Sequence, residues 1–363
     1  MTALDLAIAP LDAARRGTLR LATRSTLVTR LLARRDTRLA LLATAQVAVG
    51  FALAVMAPVV LFAVAPVLLG VVHVGADVRY LVLRRRLPRG VLVLSACAAA
   101  ALLTLRLLSM LHVTHVRTVP WEVAVGAAWI GGAFALGARH AASRRRVAVG
   151  AAVLLSIGAA ALAYPATAYL VFFHGHNLIA VLVWLVLFRR NRAWAIAPIA
   201  AIAVGLAAVL SGAFLPWIDR AHAGSALGLH LSQLSVWLAP GLPHRLAMSV
   251  VVAFVFLQAV HYSAWLGWVP QDALPGEGTF TFRMTARSLV ADFGKAGLAL
   301  IVVLAVALGV GACFGLHEAR GWYLGLSNFH GWLECALLGY FVVRGERLEG
   351  ARREHLSTSP GPR

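Results

Sequence analysis

An all-α, polytopic helical bundle embedded in a membrane is the fold this sequence predicts, and three observations predict it. Of 363 residues, 61% are hydrophobic and 13% are charged, about half the charged share of a soluble domain. Apolar runs of roughly 20 residues, the length that crosses a bilayer core as a helix, recur along the chain. The basic residues fall in clusters between those runs: Arg84 to Arg86 with Arg89, Arg144 to Arg146, Arg189 with Arg190 and Arg192, and Arg344 onward. That clustering accounts for the net charge of +19 through the excess of cationic residues in cytoplasmic loops, so no nucleic-acid partner is expected.

The elements follow in order. Residues 1–38 carry eight arginines, and "GTLRLATRSTLVTRLLARR" has the pattern of a basic amphipathic helix on an anionic leaflet. A transmembrane domain over 39–344 comprises about ten segments: 39–57, 59–83, 90–110, 120–138, 147–163, 166–188, 194–214, 246–268, 296–316 and 322–343. The remainder, 345–363, is a tail. Loops near 84–89, 139–146 and 189–193 are Arg-rich and cytoplasmic, whereas those near 58, 111–119, 164 and 317–321 are nearly uncharged and external. Both termini are then cytoplasmic, in the inner (plasma) membrane of a bacterium. In the external loop 215–245, Trp217 and Trp237 suit the aromatic belt. The internal loop holds a short amphipathic helix in "RMTARSLVADFGK". Three cysteines, Cys97, Cys313 and Cys335, have no paired spacing and read as small core residues.

Function, on this reading, lies within the bilayer. Thirteen histidines are present, and His73, His174, His176, His261 and His330 lie inside segments 2, 6, 8 and 10. All four segments run from outside to inside. Ionisable groups in a span are costly and mark sites. "GVVHVGADVRY" puts Asp77 four residues after His73, and "SNFHGWLEC" puts Glu334 four after His330. One turn of helix separates each pair, the arrangement of two metal ligands or of a ligand and its orienting partner. His261 shares a face with Gln258 and Trp265.

Depths counted from the segment ends differ by about 10 Å among these histidines, so one layer or two shallow ones are both open. His174 and His176 are separated by about 200° of helix rotation, so only one of them faces a common centre. The tripeptide Phe-His-Gly occurs at 173–175 and again at 329–331, which selects His174 and leaves His176 and Asn177 in support. P-loop, dinucleotide-binding and hydrolase-elbow motifs are absent from the sequence.

Gly70, His73 and Asp77 together resemble the opening Gly-x-x-His-x-x-x-Asp signature of the bacterial beta-carotene dioxygenase (Brp/Blh) family of membrane iron enzymes. The resemblance covers a few tens of residues. Val72 stands where that family has a proline, and its later histidine pair has no counterpart. It implies an all-helical bundle, oxidative cleavage of a carotenoid, and an iron (Fe2+) ligand at His73 with Asp77 as its acidic neighbour. His174 would be the next ligand, with His261 and His330 added by analogy.

The combined expectation is an iron-dependent oxidative enzyme acting on a carotenoid- or lipid-like molecule from the bilayer. His73, His174, His261 and His330 hold the metal, Asp77 and Glu334 act beside it, and Trp184, Tyr262, Trp265 and Trp332 line an apolar slot. Haem or copper are the alternative cofactors. A haem-binding electron carrier or haem-modifying protein is the alternative function, and a proton-coupled transporter the next.

Overall fold

The structure, a computed structural model, describes residues 3–113, 117–218, 230–274 and 281–346. Most of the expected tail lies outside the described residues. All regular structure among the described residues is helical. Proline and glycine set many boundaries. Pro58 opens α4 (Pro58–Asp77) and Pro165 opens α8 (Pro165–Val183) at the first helical position, where a missing N–H costs nothing. Before them run α1 (Ala3–Ala22), α2 (Thr26–Ala33) and α3 (Arg35–Met56). Between them come α5 (Arg89–Met110), α6 (Val119–Ala138) and α7 (Arg144–Ala163).

After α8 follow α9 (Ile196–Leu210), α10 (Leu215–Ile218), α11 (Leu231–Leu238), α12 (His244–Ser263) and α13 (Val269–Asp272). The chain closes with α14 (Phe282–Phe314), α15 (Leu316–Leu326) and α16 (Phe329–Arg344). Gly345, left-handed with φ 74°, ends α16, the usual glycine stop.

Among the described residues nine helices are long and apolar enough to cross a membrane. The expected tenth segment, 322–343, is instead broken. Its first residues belong to α15, the helical hydrogen bonding lapses at Ser327 and Asn328, and α16 starts afresh with only 16 residues. Burial orders the bundle. In α12, 78% of the apolar window is buried inside the protein, against none in α7 and α14. α12 is therefore the central post, and α7 and α14 present their Ala- and Val-rich surfaces outward.

Three central helices, α4, α8 and α12, end in wide π-helical turns at Val78–Leu83, Trp184–Phe188 and Ala264–Trp268. All three lie at the end nearest the Arg-rich loops. Such turns are rare and concentrate at functional sites. α14 bends at Gly294, whose φ of 68° is open to glycine at little cost. The residues before the bend form the amphipathic piece expected in the internal loop. Asp12 of α1 accepts from the backbone N–H of Phe282 and Arg283 (2.8 and 3.3 Å), fastening α1 to the start of α14. Cys97 and Cys313 are exposed on outward helix faces, so neither is the core residue expected of it. Trp217 and Trp237 are also exposed.

Candidate metal centre

Four helices bring one imidazole each to one cluster, in which the ligand atoms of His73, His261 and His330 come together and the His176 ring packs beside His261 and His330. His73 comes from α4, His176 from α8, His261 from α12 and His330 from α16. Ring centroids are 4.9 Å apart for His73 and His330, 5.2 Å for His73 and His261, and 6.0 Å for His261 and His330. His176 lies 5.3 Å from His261 and 5.4 Å from His330. A single layer is formed, despite the depths counted from the sequence. Because α15 and α16 are separate helices, the depth of His330 cannot be counted along one helix from residue 322.

The position expected of His174 is held by His176. The His174 ring turns the other way, and its Nε2 donates to the Leu238 carbonyl at the end of α11, 2.7 Å away. The physical reason is the register of α8. Its buried positions include Asn177, Ala180, Val183 and Trp184, and His176 sits one turn before Ala180 on that face. The Phe-His-Gly repeat was a poor guide because its two glycines do different jobs. A Cβ on Gly331 would lie 3.0 Å from Phe172 and 3.4 Å from His176, whereas Gly175 faces open space.

Hydrogen bonds orient the rings. The Nδ1–H of His330 donates to the Ser327 carbonyl, and that of His176 to the Phe173 carbonyl at 2.8 Å. A carbonyl only accepts, so in each neutral ring Nε2 carries the lone pair. His73 Nδ1 meets the Tyr323 hydroxyl at 3.4 Å. The Nε2 atoms of His73 and His330 then face each other across 3.3 Å. Imidazoles fixed through Nδ1 with Nε2 directed inward are the arrangement metal ligands adopt.

Two carboxylates complete the group. Asp77 and Glu334 are fully buried. Trp265 Nε1 donates to Glu334 Oε1 at 2.7 Å, and His261 Nε2 lies 3.5 Å from the same oxygen. The Asp77 and Glu334 carboxyl groups lie within hydrogen-bond reach of each other, and no N–H among the described residues reaches either Asp77 oxygen or Glu334 Oε2. Two carboxylates side by side in an apolar interior are strongly disfavoured; a proton shared between them or a bound cation removes that penalty. Ligand atoms of His73, His261 and His330 lie within 4.8 Å of one another, as do those of Asp77, His330 and Glu334. His330 belongs to both sets. The arrangement could hold a metal ion.

Gly70 lets this layer close. A Cβ there would lie 2.4 Å from the Tyr323 ring, so only glycine admits α15 against α4 beside His73.

The four imidazoles form part of the wall of a cavity of about 280 Å³ that Phe172, Phe173, Phe254, Gln258 and Tyr262 also line. Of the four aromatics expected to line a slot, Tyr262 does. Trp184 instead donates to Asp272 Oδ2 at 2.7 Å beside the Arg189–Asp272 ion pair, at the other end of its helix. Trp265 supports Glu334, and Trp332 stacks on Phe172 with centroids 3.9 Å apart. Asn177 lies at the cavity wall.

Sequence reading missed Arg106, Glu122, Tyr169 and Asn328. Arg106 pairs with Glu122, its Nη2 also donates to the Tyr169 hydroxyl at 2.6 Å, and Asn328 Nδ2 donates to Glu122 at 2.9 Å. The signal was present: an arginine and a glutamate each lie inside an apolar segment, where charge marks a site.

No protein-family model matches the chain, and no curated protein or solved structure does either.

Proposed function

We propose that this protein is an intramembrane metalloenzyme that uses iron to oxidise a lipophilic molecule entering from the bilayer of a bacterial plasma membrane. The observation that supports this best is the meeting of four imidazoles from four helices beside two fully buried carboxyl groups, Asp77 and Glu334. Nitrogen and carboxylate donors without a thiolate suit iron, with copper and zinc the competitors. Iron held there would supply the redox chemistry. The chain's own residues hold the metal, leave its cavity side open to substrate, and keep water away with Phe172, Phe173 and Phe254.

Haem is less well supported. His73 and His330 approach to 3.3 Å at Nε2, closer than the about 4 Å that two imidazole nitrogens keep across a single iron in line. One feature favours a proton-coupled transporter instead: the break between α15 and α16 resembles the interrupted helices of such proteins. Metal analysis and an optical spectrum of detergent-purified protein test all three. Bound iron without an intense haem absorption band supports the enzyme. Such a band supports haem, and metal-free protein with intact fold leaves transport.

A further inference from the structure

The cavity has a second, polar end. Arg106 of α5, Tyr169 of α8 and Asn328 at the start of α16 line it, close to the helix ends opposite the Arg-rich loops. Tyr169 lies seven residues before His176 on α8, so the two ends are separated by about 10 Å along the helix axis. Aromatic and aliphatic groups line the stretch between. The volume of about 280 Å³ accommodates about ten carbon-sized groups if each takes the roughly 30 Å³ of a water molecule.

The charge at the polar end is already balanced. Arg106 is paired with Glu122, which is fully buried, so a further charge arriving there would have no counter-charge. Hydrogen-bonding capacity remains. Arg106 Nε is buried with no partner. The Tyr169 hydroxyl accepts from Arg106 and donates over a long 3.4 Å to Asn328 Oδ1, which leaves a lone pair on its oxygen.

We propose that Arg106 and Tyr169, held in place by Asn328, bind the hydroxyl head of a long-chain alcohol, which accepts from Arg106 Nε–H and donates to the Tyr169 oxygen, and so position a carbon about 10 Å from that head at the histidine centre. This rests on the metalloenzyme reading for its purpose, although the head site itself needs no metal. A plain hydrocarbon would leave the Arg106 Nε–H without a partner, and a fatty acid would bring an uncompensated charge.

Binding of tritiated decan-1-ol, decane and decanoate to the full-length protein in nanodiscs, corrected with empty nanodiscs, tests the proposal. Decan-1-ol binds at least about tenfold tighter than decane, the effect of one or two hydrogen bonds that include a charged donor. Decanoate gains nothing over decane. Tyr169→Phe reduces the alcohol preference about fivefold and leaves decane unchanged. The double variant Arg106→Met with Glu122→Leu, which leaves no buried charge unpaired, abolishes the preference. Equal binding of alcohol and alkane to the unaltered protein, an intact preference in Tyr169→Phe, or tightest binding of decanoate would each overturn the head site. Iron content is measured on the same samples. Iron present without alcohol preference refutes the head site alone, and alcohol preference without iron refutes the metalloenzyme reading alone.

Discussion

On the metalloenzyme reading proposed above, replacing His176 with alanine should empty the site, and replacing His174, two residues away, should not. His176 is fixed through Nδ1 to the Phe173 carbonyl, with its ring 5.3 Å from His261 and 5.4 Å from His330. Structural four-ligand metal sites bind with about 10–16 kcal/mol, so one ligand of four carries about 2.5–4 kcal/mol. That is a loss of roughly 10² to 10³-fold in affinity. His174 has its Nε2 proton engaged by Leu238, and its removal costs that hydrogen bond, about 1 kcal/mol of stability, with little effect on metal. Iron per chain, measured by mass spectrometry after dialysis against a graded series of chelator concentrations, reads the first effect. Thermal unfolding followed by circular dichroism reads the second. The reasoning is refuted if His174→Ala empties the site while His176→Ala retains iron, or if the two variants lose iron equally.

Further outcomes follow from the same geometry. Trp265→Phe removes the indole N–H that donates to Glu334 and should weaken metal binding or activity about 10 to 100-fold without emptying the site; retention identical to the parent would show that Glu334 is not a partner of the metal. Gly70→Ala places a methyl 2.4 Å from Tyr323 and should destabilise the protein by about 1–3 kcal/mol, read as a lowered melting temperature in detergent. Asp12→Ala releases the backbone N–H groups of Phe282 and Arg283 and should cost about 1 kcal/mol, read as faster proteolysis between α1 and α2; unchanged cleavage would refute that fastening. Reporter fusions at residue 142 and residue 230 should report opposite sides of the membrane, cytoplasmic and external respectively; both on one side would break the assumed orientation.

The fold class was legible because it rests on composition and length alone. Runs of twenty apolar residues leave a chain little choice but to span as helices. The exception, the last segment, shows the limit of that inference. "GWYLGLSNFHGWLEC" is apolar enough to span, but Ser327 and Asn328 divide it, and hydropathy does not register a break made by two small polar residues. His73, His261 and His330, which the structure brings together, were singled out by one physical rule, that an ionisable group inside a span needs a partner. The same rule, applied to arginine and glutamate, would have exposed Arg106 and Glu122.

Which face of α8 turns inward was not legible. Ala, Val, Leu and Phe surround both His174 and His176, so the hydrophobic pattern contains no periodic signal, and in a bilayer both faces of a helix are apolar. The tryptophans failed for a related reason. Trp184 and Trp332 are large residues in apolar runs, but their neighbours across the bundle, Asp272 and Phe172, decide what they do. Those neighbours are 88 and 160 positions away, beyond any local pattern.

X-ray absorption at the iron edge of the purified, full-length protein tests the central claim most directly. The account predicts iron surrounded by nitrogen and oxygen at about 2.0–2.2 Å, with outer-shell scattering from three or four imidazoles that falls in His73→Ala and His330→Ala. Protein without iron, a sulfur shell, or the scattering of a porphyrin would contradict it.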